Sequence, residues 1–135
     1  MQGIETILKK FSIPVGRKEL FEAWISPQMT IAPITKIECN PMAGGVMNLY
    51  AESAEAVGVM NGLFEEVIPN EKLKYSWQWQ GSDEQTMVTV IFKDDGLQTL
   101  VQLEHTGFLS KESYDAHNSG WDNYLDGLAD RLVKS

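Results

Sequence analysis

Two histidines are the residues of this sequence best suited to acid–base chemistry. They are His105, in the segment LEHTGF, and His117, which opens the segment HNSGWDNYLDGLADRL. An imidazole titrates near neutral pH, so two of them in one pocket could move protons for a reaction. Both could instead be structural residues held by hydrogen bonds. The sequence therefore makes His105 and His117 candidate catalytic residues and leaves open whether a reaction is catalysed.

Other common chemistries find little support in the residue pattern. A metal site needs three or four converging ligands, and two histidines, Cys39 and scattered carboxylates show no such spacing. No G-x-S-x-G segment is present to hold a nucleophilic serine. The AGG stretch at residues 43–45 is too short to cradle a phosphate. We therefore predict no metal and no cofactor.

Composition indicates a folded domain and limits the partners. With 135 residues, 43% of them hydrophobic and 22% charged, the chain predicts a single domain over residues 1–135. A formal net charge of −8 would repel nucleic acid and anionic membranes. No long apolar run and no secretory signal are found, so we expect a cytoplasmic protein outside the membrane. A homodimer is left open.

Hydrophobic periodicity changes three times along the chain. Residues 4–13 predict an opening strand, and GRKELFEAWISP then predicts a helix that ends near Pro27. From Ile34 to Phe108 the pattern has a period of two and indicates about six strands. The clearest are LKYSWQW and the two runs that flank KDDG, a typical hairpin signal. A long closing helix follows, with Ser110 as its N-cap.

The closing helix has an apolar stripe that suits the cover of an antiparallel sheet. At 100° per residue, the stripe contains Tyr114, His117, Trp121, Leu125, Leu128 and Leu132. Asp122, Asp126 and Asp130 fall on the opposite, solvent-facing side. Gly120 and Gly127 lie together on the flank of the stripe, although glycine costs a helix about 1 kcal/mol. Because glycine has no side chain, this flank indicates either close packing against the sheet or a pocket wall.

The ordered segments of this chain resemble a known superfamily. They are PMAGGVMNLY, GLFEEVIPNEKLKYSWQW, VTVIFKDDGLQTLVQLEHTGF and HNSGWDNYLDGLADRL. Together they are similar to the START-like (SRPBCC) superfamily, and most of all to bacterial homologues of the activator of heat shock protein 90 ATPase. The resemblance implies an α+β helix-grip fold, in which a curved antiparallel sheet of about six to seven strands wraps around the C-terminal helix. It also implies a cavity between them, whose mouth often lies near the segment here reading PQMTIAPIT.

Aromatic residues are numerous enough to line such a cavity. An aromatic wall with a few polar groups is typical of sites for small apolar ligands. His105 shares strand parity with Val101 and Leu103, which would point it inward. The predicted ligand-binding residues are Tyr75, Trp77, His105, His117, Trp121 and Tyr124.

Three functions are compatible with these features. The first is binding of a small hydrophobic or aromatic molecule between sheet and helix. The second, a kind of enzyme that the resembled superfamily also contains, is a polyketide cyclase or hydrolase that would use His105 or His117 as acid or base. The third, implied by the family resemblance alone, is a module that interacts with a chaperone.

Overall fold

The computed structural model describes residues 6–53 and 57–134. Within these residues the chain forms eight strands and two helices. The strands are β1 (Ile7–Ile13), β2 (Ile34–Cys39), β3 (Met47–Glu52), β4 (Val57–Asn61), β5 (Phe64–Ile68), β6 (Lys72–Trp79), β7 (Thr86–Asp95) and β8 (Gln98–Thr106). The helices are α1 (Arg17–Trp24) and α2 (Lys111–Lys134). Neither helix is long and apolar enough to cross a bilayer.

The strands form one antiparallel sheet with the order β1-β8-β7-β6-β4-β3-β2, and β5 pairs with β6 beside this path. Helix α2 covers one face of the sheet, and α1 packs against β7 through Phe21 and Trp24, which meet Phe92 edge-on at 5.5 and 5.6 Å. The buried core lies between these layers. This is the helix-grip arrangement, so the predicted fold class is confirmed.

Local signals in the sequence set several element boundaries. The β7–β8 hairpin turns at Gly96, which takes the positive φ of 72° that the KDDG signal requires. Helix α1 ends at Trp24, three residues before Pro27. The Ser110 hydroxyl accepts a hydrogen bond from the Ser113 backbone N–H at 3.0 Å, which confirms the predicted N-cap of α2. The opening strand starts at Ile7; residues 4 and 5 lie outside the described part.

The run VGVMNGLFEEVI forms two strands instead of the one expected. Strand β4 ends at Asn61, opposite Gln78 of β6, and β5 begins at Phe64, opposite Tyr75 of the same strand. At the break, a Cβ on Gly62 would lie only 2.2 Å from the Ser76 carbonyl oxygen. Only glycine permits this close approach of two backbones. The break raises the number of strands in the sheet to eight.

The apolar stripe of α2 lies where the sequence predicts it. Trp121, Leu125, Leu128 and Leu132 are buried, whereas Tyr114 and His117 are half-buried. Asp122, Asp126 and Asp130 are exposed on the other side. Asp122 also forms an ion pair with Lys9 of β1 at 2.8 Å, which links the helix to the edge of the sheet.

Candidate functional site

A cavity of about 370 Å³ lies between the sheet and α2. The loop between α1 and β2, residues 25–33, closes part of its rim and is called the mouth loop below. From the sheet, β2 and β3 contribute Ile37, Met47, Leu49 and Ala51, and β6 contributes Tyr75, Trp77 and Trp79. From α2 the wall contains Ala116, His117, Gly120, Trp121, Asn123 and Tyr124.

All four tryptophans of the chain line this cavity. Trp24 stacks on Trp121 with ring centroids 6.1 Å apart and an angle of 21°. Trp77 lies between Trp121 and Trp79, at 5.4 and 6.1 Å. Alternation along β6 places Trp77 and Trp79 on the same face of the sheet. The result is a continuous aromatic wall that runs from α1 over α2 to strand β6 of the sheet.

His117 holds two of these indoles. Its Nε2 atom accepts hydrogen bonds from the Nε1–H groups of Trp77 and Trp79, both at 3.1 Å. Its Nδ1 atom lies 2.8 Å from the Ser113 backbone oxygen. Because Nε2 faces two donors, the partners assign a neutral ring with the proton on Nδ1, donated to Ser113. Both ring nitrogens are therefore occupied.

His105 lies behind the aromatic wall and does not line the cavity. It is fully buried, and its Nδ1 atom accepts the indole N–H of Trp121 at 2.9 Å. Its Nε2 atom lies 2.6 Å from the Thr86 hydroxyl, which donates in turn to the Trp77 backbone oxygen at 3.1 Å. This chain of bonds fixes a neutral ring with the proton on Nε2.

The surroundings of His105 oppose a positive charge on it. Burial, and to a lesser degree the neighbouring His117, lowers the pKa of His105 from 6.5 to about 3. At neutral pH the His105 ring is therefore uncharged, and it accepts a hydrogen bond from Trp121. Of the six ligand-binding residues named from the sequence, the structure brings five to the cavity wall and leaves His105 behind it.

Two phenols complete the wall. The Tyr75 hydroxyl accepts a hydrogen bond from Trp24 Nε1 at 3.2 Å. Burial raises the pKa of Tyr75 above its usual value. Burial raises the pKa of Tyr124 as well, and the nearby Tyr75 adds to that shift. Both hydroxyls therefore keep their protons at any physiological pH.

The mouth loop contributes residues that the sequence did not assign to the site. Met29 and residues 31–33 line the cavity together with Ile34. Two residues of α2 hold the loop: Asn123 donates to the Ala32 backbone oxygen and Arg131 to that of Thr30, both at 2.9 Å. The period-two pattern of VMNLYA, with its apolar positions 47, 49 and 51, could have indicated the β3 residues. The loop residues carry no such periodic signal, and only the family resemblance placed the cavity mouth near the segment PQMTIAPIT.

The two glycines of α2 occupy different environments. A Cβ on Gly127 would lie 2.5 Å from Cγ2 of Ile31 in the mouth loop. A Cβ on Gly120 would meet nothing within 4 Å, and Gly120 borders the cavity. Gly127 is therefore closely packed, whereas Gly120 forms part of the pocket wall.

This difference predicts opposite effects of alanine at the two positions. Gly120→Ala should stabilise the protein by about 1 kcal/mol, because alanine favours a helix and the space is open. Gly127→Ala should be less stable than Gly120→Ala by about 1–3 kcal/mol, because its methyl group clashes with Ile31. Urea unfolding of both variants measures this difference.

Repeating Gly127→Ala in the Ile31→Ala protein isolates the clash between the added methyl group and Ile31. In Ile31→Ala protein the Cγ2 atom is absent, so Gly127→Ala should there stabilise by about the helix-propensity gain. If Gly127→Ala stabilises the parent protein as much as Gly120→Ala does, the contact with Ile31 does not explain this glycine.

Cys39 and the carboxylates form no metal-binding group among the described residues. Burial raises the pKa of the Cys39 thiol to about 11, so the thiol stays protonated and is a poor nucleophile. Within residues 6–53 and 57–134, no three His, Cys, Asp or Glu side chains are placed to hold a metal ion. The chemistry of the site is therefore that of its aromatic and aliphatic wall.

Comparisons with known proteins agree with this fold. A search among curated proteins gave no match. Protein MLL2253 from Mesorhizobium loti has a TM-score of 0.85 and 23% identity, covering 97% of this chain and 98% of its own. Ara h 8.0201 has a TM-score of 0.81 and 14% identity, covering 97% and 99%. The Aha1 dimer from Colwellia psychrerythraea has a TM-score of 0.76 and 16% identity, covering 96% of each chain.

A family model supplies the assignment that these distant structures cannot. The model of the Activator of Hsp90 ATPase homolog 1-like protein matches residues 14–133, which span α1, the sheet from β2 to β8 and nearly all of α2. The chain therefore belongs to the Activator of Hsp90 ATPase homolog 1-like family of START-like proteins.

Proposed function

We propose that this protein binds a small hydrophobic or aromatic molecule in the cavity between the sheet and α2. The observation that carries the proposal is the cavity of about 370 Å³ whose wall contains all four tryptophans. Sites for small molecules have volumes of about 300–1,000 Å³ and are mostly apolar with a few polar groups. The family and the fold, which are generally those of ligand-binding proteins, support the same function.

The wall favours an uncharged ligand. Among the described residues that line the cavity, none is Asp, Glu, Lys or Arg. A charged group entering this space would lose its hydration without gaining an ion pair, which is costly. A flat apolar molecule instead gains buried area and stacks against the indoles of Trp77 and Trp121.

The test is a titration with N-phenyl-1-naphthylamine, a neutral probe whose emission rises in apolar surroundings. We expect saturable binding of one probe per chain, with a Kd of about 1–100 μM, equivalent to about 5.5–8 kcal/mol. Emission from the four tryptophans should fall along the same curve, because all of them border the cavity.

A pair of leucine variants on α2 locates the probe. Gly120→Leu places a side chain in open space beside the cavity and should weaken binding about tenfold or more. Ser119→Leu adds the same group at an exposed position that does not line the cavity, and its Kd should stay within about twofold of the parent. Equal effects of both variants, or no saturable binding to folded parent protein, would contradict the proposal.

The other hypotheses remain predictions. The acid–base hypothesis gains no support from the described geometry, because His105 and His117 each use both ring nitrogens in bonds within the protein. Interaction with a chaperone rests on the family name alone. A homodimer is supported by the similar Aha1 protein from Colwellia psychrerythraea, which forms one.

A further inference from the structure

The nitrogen donors around the cavity are already paired inside the protein. Each of the four indole N–H groups donates to a neighbouring side chain, so a ligand would have to break an existing bond to use one. The pairs are Trp24 with Tyr75, Trp77 and Trp79 with His117, and Trp121 with His105. The His117 N–H likewise points at the Ser113 backbone oxygen. The indoles and the imidazole therefore present ring faces and edges to a ligand, not free donors.

Two phenol protons remain available on the wall. The Tyr75 oxygen accepts from Trp24, and within the described residues its own proton has no acceptor. The Tyr124 hydroxyl makes no hydrogen bond to the described residues, and its oxygen is not enclosed. Both phenols lie against the same indole, because Trp24 Nε1 is 3.2 Å from the Tyr75 oxygen and the Trp24 ring centroid is 5.0 Å from that of Tyr124. A phenol that keeps its proton in an apolar site is a hydrogen-bond donor without an assigned partner.

Taking the proposed function as given, we infer that the ligand is an uncharged apolar molecule that carries one acceptor oxygen, such as a ketone or ester carbonyl. The Tyr124 hydroxyl donates to that oxygen, with Tyr75 as the second donor, while the indole wall holds the apolar body. A carbonyl oxygen has two lone pairs and can accept from both phenols. A carboxylate fits less well, since the described wall contains no cation to pair with it.

Three naphthalenes with the same ring system separate these features. 2-Acetylnaphthalene carries a carbonyl, 2-isopropenylnaphthalene replaces its oxygen by CH₂ at nearly the same shape, and 2-naphthoate carries a charge. Their Kd values are measured by displacement of N-phenyl-1-naphthylamine from the parent protein and from Tyr124→Phe. A hydrogen bond between uncharged groups corresponds to about a 3- to 10-fold change in affinity.

We expect Tyr124→Phe to weaken the ketone about 3- to 10-fold and to change the alkene by less than about twofold. Tyr75→Phe should act in the same direction, with a thermal melt to verify that it is folded, because it leaves the Trp24 N–H unpaired. Tyr114→Phe is the matched control: this tyrosine lies on α2 outside the cavity wall and should change neither Kd. The parent should bind 2-naphthoate at least about tenfold more weakly than the ketone.

The outcomes distinguish this inference from the proposed function. If the ketone and the alkene both bind and Tyr124→Phe changes them equally, the cavity binds ligands but the phenols do not recognise an acceptor oxygen. Binding of 2-naphthoate as tight as that of the ketone also overturns the inference. If the probe binds but none of the three naphthalenes displaces it, this inference fails while the proposed function stands. If the probe does not bind to the folded parent protein, the proposed function fails and this inference fails with it.

Discussion

Replacing Trp121 by alanine is expected to lower the free energy of unfolding by about 3–5 kcal/mol, a large part of the stability of a domain this size. Trp121 is 6% exposed and contacts Trp24, Trp77 and Tyr124. Its removal leaves a cavity in the centre of the aromatic wall. It also deprives His105 Nδ1 of its donor at 2.9 Å. Chemical denaturation followed by backbone amide signals measures the loss.

A conservative variant separates packing from hydrogen bonding. Trp121→Phe retains an aromatic ring but removes the indole N–H, so we expect a smaller loss of about 1–3 kcal/mol from the unpaired imidazole nitrogen. Tyr114→Ala on the same helix removes a half-buried aromatic ring and should cost less than Trp121→Ala. A change below about 1 kcal/mol for Trp121→Ala would contradict the role of this residue as a buried anchor between α2 and the sheet.

Acidification should destabilise the protein through His105 over a defined pH window. In the unfolded chain His105 binds a proton below pH 6.5, whereas in the folded protein it does so only near pH 3. Between these values the unfolded state holds more protons, so the free energy of unfolding falls as the pH falls. Above pH 6.5 the contribution of His105 to this free energy is constant. The slope is about 1.4 kcal/mol per pH unit, which amounts to about 4–5 kcal/mol across the window.

His105→Gln provides the reference for this measurement. Glutamine retains a donor and an acceptor for Thr86 and Trp121 but does not titrate. The parent should lose more stability than His105→Gln between pH 6.5 and 4. Because the carboxylates contribute equally to both proteins, this difference measures the contribution of His105. Imidazole nitrogen resonances give an independent measurement, and His105 should stay neutral with its proton on Nε2 throughout this range. A titration of folded His105 near pH 6 would contradict the buried, neutral ring.

Much of the fold could be predicted because its signals are local. The alternation in LKYSWQW, the glycine of KDDG and the cap at Ser110 each act within a few residues. The division of residues 57–68 into two strands could not be predicted. Its cause is the backbone contact between Gly62 and Ser76, which are far apart in the sequence.

The site was harder to predict than the fold, because its contacts join residues that are far apart in the sequence. Strand parity correctly directs His105 inward, but parity says nothing about the depth at which a ring lies or which partners it meets. The partners Trp121 and Thr86 come from a distant helix and a neighbouring strand. Gly120 and Gly127 share one helix flank, yet they differ because only Gly127 lies against Ile31 of the mouth loop.

The aromatic wall also has an optical consequence. Trp24, Trp121, Trp77 and Trp79 form a connected series of indoles with centroids 5.4–6.1 Å apart at fixed angles. Transition dipoles this close couple as excitons, and the coupled bands contribute circular dichroism in the far ultraviolet, where helices and strands are usually quantified. Helix content derived from such a spectrum will therefore be biased, and a variant that loses Trp121 will change its ellipticity even where its backbone does not move.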